Sequence, residues 1–182
     1  MGRYRARDLL LPPSVVSLCR VPMAFAFPWV ASDPWLALGL LAAAGASDVL
    51  DGYLARRLGQ ATATGAVVDG VTDKLFMLSV VGTLLVTDKL PLWGVLLLGA
   101  RDLGEAPLVV WWMLSPPQRK IRAEDPKANV PGKVATVLQF AAVVASILRS
   151  PSLVPLLACA GIVGLGAAVS YWRRELLRRR RR

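Results

Sequence analysis

Between Asp48 and Asp73 the chain carries four aspartates, two glycines, an alanine and an arginine in the pattern D-x2-D-G-x2-A-R-x8-G-x3-D-x3-D, inside otherwise apolar sequence. At 3.6 residues per turn, Asp51, Gly52, Ala55 and Arg56 fall with Asp48 inside an arc of about 140°, so one helix face carries two carboxylates and a guanidinium. Gly65, Asp69 and Asp73 follow at i+4 steps on the next helix. With the short polar turn around Gly59 and Gln60 between them, the two helices are expected to face each other, their four carboxylates converging at one level. Gly52 and Gly65 present no side chain, so a ligand or the partner helix can come close to the backbone there. Carboxylates in a chain without histidine favour hard divalent cations, Mg²⁺ or Mn²⁺, and four of them suffice for two ions. A pair of such ions clamps phosphate oxygens during displacement at phosphorus, which makes a phosphoanhydride or phosphodiester the expected substrate. Any one of these aspartates taken singly reads as well as a cap or a solvated charge. Eight specified positions at fixed spacing, however, arise by chance in far fewer than about one window in 10⁸ at average residue usage.

The elements that must hold these residues follow from composition. At 182 residues, 55% hydrophobic and a mean hydropathy of +0.51, the chain has apolar runs too long for a soluble core and reads as a multi-spanning helical membrane protein. Its apolar stretches lack the alternation of a membrane β-barrel. The expected fold is an all-α integral membrane protein of six transmembrane helices, with a short amphipathic N-terminal juxtamembrane segment. Residues 1–12 form that basic lead-in, 13–174 the six-helix catalytic domain and 175–182 a basic cytoplasmic tail. No cleavage site of the A-x-A kind follows the lead-in, which is expected to run directly into the first span. The spans are expected over Pro13–Val30, Trp35–Arg56, Thr62–Val86, Leu92–Leu114, a fifth beginning at Gly132, and Leu153–Trp172. Two aspartates thus end the second span and two begin the third, near one membrane face with a route to water.

A net charge of +10 raises the question of nucleic acid. The arginines gather at the termini and between helices, with no basic face interleaved with aromatics, so no nucleic-acid partner is expected and anionic membrane lipids are. Summing Lys and Arg by side groups both termini, Arg56, Arg57 and the 115–133 loop against Lys89 and Arg149. Both termini are therefore expected in the cytoplasm, with the protein in the cell (inner) membrane. Cys19 and Cys159 read as small buried hydrophobes. The small residues Gly161, Gly164, Gly166, Ala167 and Ala168 are expected to let the last span pack closely on a neighbour.

The motif as it stands here resembles the signature of the CDP-alcohol phosphotransferase family of integral membrane enzymes, and every specified position matches. In that family a CDP-linked donor gives up a phosphatidyl or related group to an alcohol, releasing CMP. The resemblance implies that Asp48, Asp51, Asp69 and Asp73 hold two metal ions, with Asp73 also the general base. It implies that Gly52, Ala55, Arg56 and Gly65 belong to the CDP-binding part, and that the protein is a homodimer.

Further elements bear on the remaining cations. Pro13, Ser14, Ser17 and Arg20 partly match a P-N-x-x-T-x-x-R element of phosphatidyl-transferring members. Arg20, embedded in a span, must meet an anion, either a motif aspartate or donor phosphate. Arg101 and Glu105, four residues apart, suit an ion pair. The A-R-D sequence at Arg101 looks like an element of phosphatidylglycerophosphate and cardiolipin synthases, which implies an acceptor pocket for Arg101. Gly132, Lys133, Thr136 and Gln139 resemble a G-K-x-K-T-x-x-Q run with Ala135 in place of the second lysine, and imply an acceptor-phosphate contact for Lys133. The family resemblance implies CDP-diacylglycerol as donor; together with Arg119, Lys120 and Arg122 these cations suit an acceptor bearing its own phosphate and, with the similarities just given, favour sn-glycerol 3-phosphate, giving phosphatidylglycerophosphate. Cardiolipin synthase acting on phosphatidylglycerol, or a member using inositol phosphate, is the alternative. An ion-coupled transporter that binds its cation at the aspartates is the rival from another class.

Overall fold

The computed structural model describes residues 6–114 and 130–180. Every regular element among them is helical. The chain divides into two compact units, Met1–Lys89 and Leu90–Arg182.

In the first unit a 3₁₀ turn, Ala6–Leu10, leads into α1, Pro12–Leu18, and after an interruption at Cys19 into α2, Arg20–Val30. The expected turn at Ser32–Pro34 forms because Asp33 caps the next helix: its Oδ1 accepts from the backbone N–H of Trp35 at 2.8 Å and of Leu36 at 3.2 Å, with Pro34 in the first turn. That helix, α3, runs Pro34–Arg57. It stops at Leu58 because Gly59 turns left-handed, φ +64°, while Gln60 N–H reaches back to Ala55 O at 3.0 Å and Gly59 N–H to Arg56 O at 3.4 Å. This is the Schellman arrangement, in which glycine alone avoids a penalty of about 1–2 kcal/mol for an L side chain. Thr62 then caps α4, Ala63–Val86, its Oγ1 accepting from Gly65 N–H at 3.0 Å.

Packing in this unit is by small and aromatic side chains. Phe27 of α2 meets Phe76 of α4 edge-on with ring centroids 6.2 Å apart, and Ser79 donates to the Ala24 carbonyl at 2.6 Å. Ala37, Leu41, Val80 and Leu84 complete a core with almost no exposure. Below it, the C-terminal end of α3 and the N-terminal end of α4 are brought together beside α1.

The second unit contains α5, Leu92–Leu114, α6, Val130–Ile147, and α7, Leu153–Arg180. The small residues of the last helix do pack closely. A methyl group on Gly161 would lie 2.7 Å from Leu97 Cδ2, one on Gly164 3.2 Å from the Arg101 backbone nitrogen, and one on Gly104 of α5 2.6 Å from Ala168 Cβ. Polar groups tie the helices further: Gln139 Nε2 donates to Leu98 O and Trp172 Nε1 to Gly104 O. Helix α7 continues through Arg180, so residues 175–180 are helical, as their Arg and Leu content favours.

Three helical stretches among the described residues are long and apolar enough to cross a membrane: Pro12–Val30, Pro34–Arg57 and Leu153–Arg173. With the tryptophans Trp29 and Trp35 about 80% exposed at either side of the Asp33 turn, where interfacial aromatics belong, the fold is that of a membrane protein. Helices α4 and α5 have the length but carry the charged groups Asp69, Asp73 and Lys74, and Arg101, Asp102 and Glu105. The two cysteines correct an expectation: Cys19 and Cys159 are exposed, not buried. In lipid an apolar side chain gains nothing by turning inward, so hydrophobicity alone does not tell the core from the lipid-facing surface.

Candidate metal centre and adjoining cleft

Asp48 and Asp51 project from the penultimate turns of α3, and Asp69 from the second turn of α4. One carboxylate oxygen from each lies within 4.8 Å of the others. Between them sits the Arg20 guanidinium, carried in by the first residue of α2 and only 1% exposed. Its Nη2 lies 2.5 Å from Asp51 Oδ2 and 3.2 Å from Asp48 Oδ1, while Nη1 donates to Asp69 Oδ1 at 2.8 Å. Nε donates to Ser47 Oγ at 3.0 Å, and Ser47 Oγ in turn donates a hydrogen bond to Ala44 O at 2.7 Å. One turn before Arg20, Ser17 Oγ donates to Asp51 Oδ2 at 2.7 Å. Of the two partners weighed for Arg20, the structure supplies the aspartates.

Three carboxylates against one guanidinium leave two formal negative charges at a place where only Asp51 is fully buried. That excess matches one divalent cation. The oxygens are already close to the spacing that a hard cation imposes, since ligands at about 2.0–2.1 Å stand up to roughly 4 Å apart. The residues therefore fit a metal ion. Asp73, one turn beyond Asp69, is exposed and does not belong to the group of three.

A cleft of about 190 Å³ opens beside this cluster. Asp51, Gly52, Ala55, Gly65 and Asp69 of the motif all line it, together with Pro13, Ser14 and Ser17 of α1 and Gln60–Thr62 of the connection. Gly65 is where α4 begins against α1: a methyl group there would stand 3.2 Å from Thr62 Oγ1 and 3.3 Å from Ser14 Oγ. At Gly52 the same methyl would meet the Arg56 guanidinium at 3.3 Å, so that side chain lies back along the glycine. Arg56 itself is exposed. Ser47, Gln60 and Thr62 are the residues that motif reading missed. Thr62 was detectable as a Thr before an apolar helix. Ser47 was not, because its partner lies 27 residues away.

The expected acceptor residues belong to the second unit. Arg101 pairs with Glu105 at 3.0 Å as its spacing suggested, and its Nη1 also donates to Thr136 Oγ1 at 2.7 Å and Gly132 O at 3.1 Å. Lys133 is exposed, and Ala135 is fully buried. Arg119, Lys120 and Arg122 lie outside the described residues.

The helices and the acidic cluster define a membrane protein with a centre suited to a hard divalent cation. The family described as CDP-alcohol phosphatidyltransferase matches residues 10–172, and the chain belongs to it. The family is metal-dependent, and the aspartate cluster is a place where a metal can bind. Among its relatives, cardiolipin synthase (CMP-forming) of Streptomyces coelicolor is 36% identical over 143 residues, covering 74% of this chain and 63% of that protein. Probable cardiolipin synthase (CMP-forming) of Drosophila melanogaster is 30% identical over 189 residues, 93% of this chain and 59% of that protein. The chloroplastic CDP-diacylglycerol–glycerol-3-phosphate 3-phosphatidyltransferase 1 of Oryza sativa subsp. japonica is 31% identical over 166 residues, 81% of this chain and 48% of that protein. The chain thus spans less than two thirds of the length of these relatives.

Proposed function

We propose that this protein transfers a phosphatidyl group from CDP-diacylglycerol to an alcohol acceptor and releases CMP. The observation that carries the reading is the cluster of three aspartates with two uncompensated charges, set on a cleft lined by the motif residues of a CDP-alcohol phosphatidyltransferase. Asp48, Asp51, Asp69 and Asp73 are assigned to two Mg²⁺ or Mn²⁺ ions, which when bound supply neutralisation of the charge that develops on the reacting phosphate. Arg20 and Ser17 orient the carboxylates. Gly52, Ala55, Arg56 and Gly65 hold the CDP part, with the Arg56 fork on phosphate oxygens. Asp73 takes the proton from the acceptor hydroxyl, which lets that oxygen form the new bond to phosphorus as CMP leaves.

For the acceptor, Arg101 and Lys133 support sn-glycerol 3-phosphate. A second reading, phosphatidylglycerol, is supported by the cardiolipin synthases among the relatives and by the buried Ala135 where the resembling run has a lysine. Purified protein given CDP-diacylglycerol should release CMP with Mg²⁺ or Mn²⁺, stop in EDTA and resume when the metal is returned. An acceptor panel then ranks glycerol 3-phosphate, phosphatidylglycerol and inositol phosphate by kcat/KM. CMP release that persists without metal, or none with any acceptor, defeats the proposal.

The proposal includes six spans in the cell membrane, with both termini cytoplasmic and residues 13–174 as one catalytic domain. At 24 and 23 residues, α4 and α5 are about 35 Å long, enough to cross a hydrocarbon core of about 30 Å once their charges are matched inside the protein. It also includes a homodimer, as the resemblance implies. Cross-linking in native membranes should trap a species of twice the chain mass, and a monomer at all cross-linker doses would remove this part.

A further inference from the structure

The side of α3 that turns away from the cleft carries an exposed apolar stripe ending in a basic residue. Trp35, Val49, Leu50 and Tyr53 are exposed along it, as are Ala42 and Ala46 between them. Tyr53 stands 18 residues after Trp35, which is five full turns, so the two rings share one side of the helix about 27 Å apart. That is close to the roughly 30 Å of a hydrocarbon core, and tryptophan and tyrosine are the side chains that settle at its two boundaries. Arg57 follows one turn beyond Tyr53, about 6 Å further along the axis, at the level of the lipid headgroups. Both residues stand about 150–165° round the helix from the arc of Asp51, Gly52 and Ala55 that lines the cleft.

We propose that Tyr53 and Arg57 clamp the headgroup phosphate of an anionic phospholipid, at a site apart from the metal centre and independent of the reaction assigned to it. The guanidinium is already in place: Arg57 Nη1 donates to the Tyr53 hydroxyl oxygen at 3.0 Å, and Cζ lies 5.7 Å from the centre of the Tyr53 ring. Stacking on the ring and the hydrogen bond restrict a long side chain in advance, so less freedom is lost when a ligand binds. Among the described residues no carboxylate pairs with Arg57, which leaves its charge uncompensated and its other N–H groups available. Because the Tyr53 hydroxyl accepts from Arg57, its own proton is left to donate. Guanidinium and phenol together offer a phosphate several donors at one level. Toward the membrane interior, Val49 and Leu50 give the acyl chains an apolar wall, which suits a lipid and gives nothing to a free phosphate ion. A choline headgroup brings its own cation and gains less from a second, so the occupant is a lipid of net negative charge.

The test is native mass spectrometry of the full chain released from nanodiscs of phosphatidylserine and phosphatidylcholine in equal parts, neither of them a substrate or product of the transfer proposed above. Arg57→Gln should lower the retained ratio of phosphatidylserine to phosphatidylcholine about fivefold, the scale of one basic residue at an anionic surface. Tyr53→Leu removes no charge and should lower the ratio by a similar factor. The double variant should go no further than either single one, as for two parts of one site. Inorganic phosphate added to the wild type should leave the ratio unchanged, and Mn²⁺ should bind all four proteins alike. An unchanged ratio in Tyr53→Leu would make Arg57 an ordinary surface charge and overturn the proposal, as would an equal loss of both lipids. Displacement by inorganic phosphate would make the site one for the free ion. A fall in dimer mass in place of lipid would give this face to a second copy of the chain, and a loss of Mn²⁺ affinity would return the pair to the metal centre; each of these also overturns it.

Discussion

Replacement of Asp73 by asparagine is expected to lower CMP release by about 10²–10⁴-fold, the usual contribution of a positioned general base, while fold and donor binding persist. Asparagine keeps the shape and a carbonyl oxygen but cannot take a proton. The separation from donor binding follows from where Asp73 stands: it is exposed, one turn past Asp69, outside the three carboxylates that Arg20 gathers. Asp51→Asn should behave differently, since Asp51 is buried, accepts from Ser17 and Arg20, and borders the cleft. That variant should lose metal affinity and turnover together. Single-turnover CMP release, measured beside CDP binding, separates the two cases. Near-normal release by Asp73→Asn would refute its role as base, and a fall in release that saturating Mn²⁺ restores would leave it a metal ligand only.

Removing the cation at the centre should have the largest effect on stability. In Arg20→Gln, three carboxylates would face one another with no internal counter-charge. Breaking one side of a buried ion pair costs about 3–5 kcal/mol. The side chains of Asp48 and Asp69 are 55% and 43% exposed and keep much of their hydration, whereas that of Asp51, at 7%, does not. The lower end of that range therefore applies, and about 3 kcal/mol corresponds to roughly 6–12 °C in Tm for a chain of this size. The loss should appear in EDTA and shrink on adding Mn²⁺, because an ion that binds only the folded state stabilises it by mass action, and more so where no arginine competes for the carboxylates. Equal Tm for the two proteins in EDTA, or an equal rise with Mn²⁺, would show that Arg20 does not neutralise this cluster.

Much of the architecture was legible because it is written in local spacing. Helices were expected at Trp35–Arg56 and Thr62–Val86 and form as Pro34–Arg57 and Ala63–Val86, with Asp33, Gly59 and Thr62 as the punctuation. Caps and left-handed turns depend on a residue and its neighbours a few positions away, which a sequence states outright. The i+3 and i+4 rows of aspartate and glycine are legible for the same reason, as is the Arg101–Glu105 pair. What only the tertiary structure decided is which charges share a partner. Arg20 could have faced phosphate, but the fold sets it among Asp48, Asp51 and Asp69, 28 to 49 residues away, and leaves Asp73 outside. The enclosed oxygen of Gln60 and the exposure of the two cysteines were equally hidden. Burial and long-range ion pairing are properties of how helices are laid together, and in a chain apolar on nearly every side no periodicity says which face turns inward.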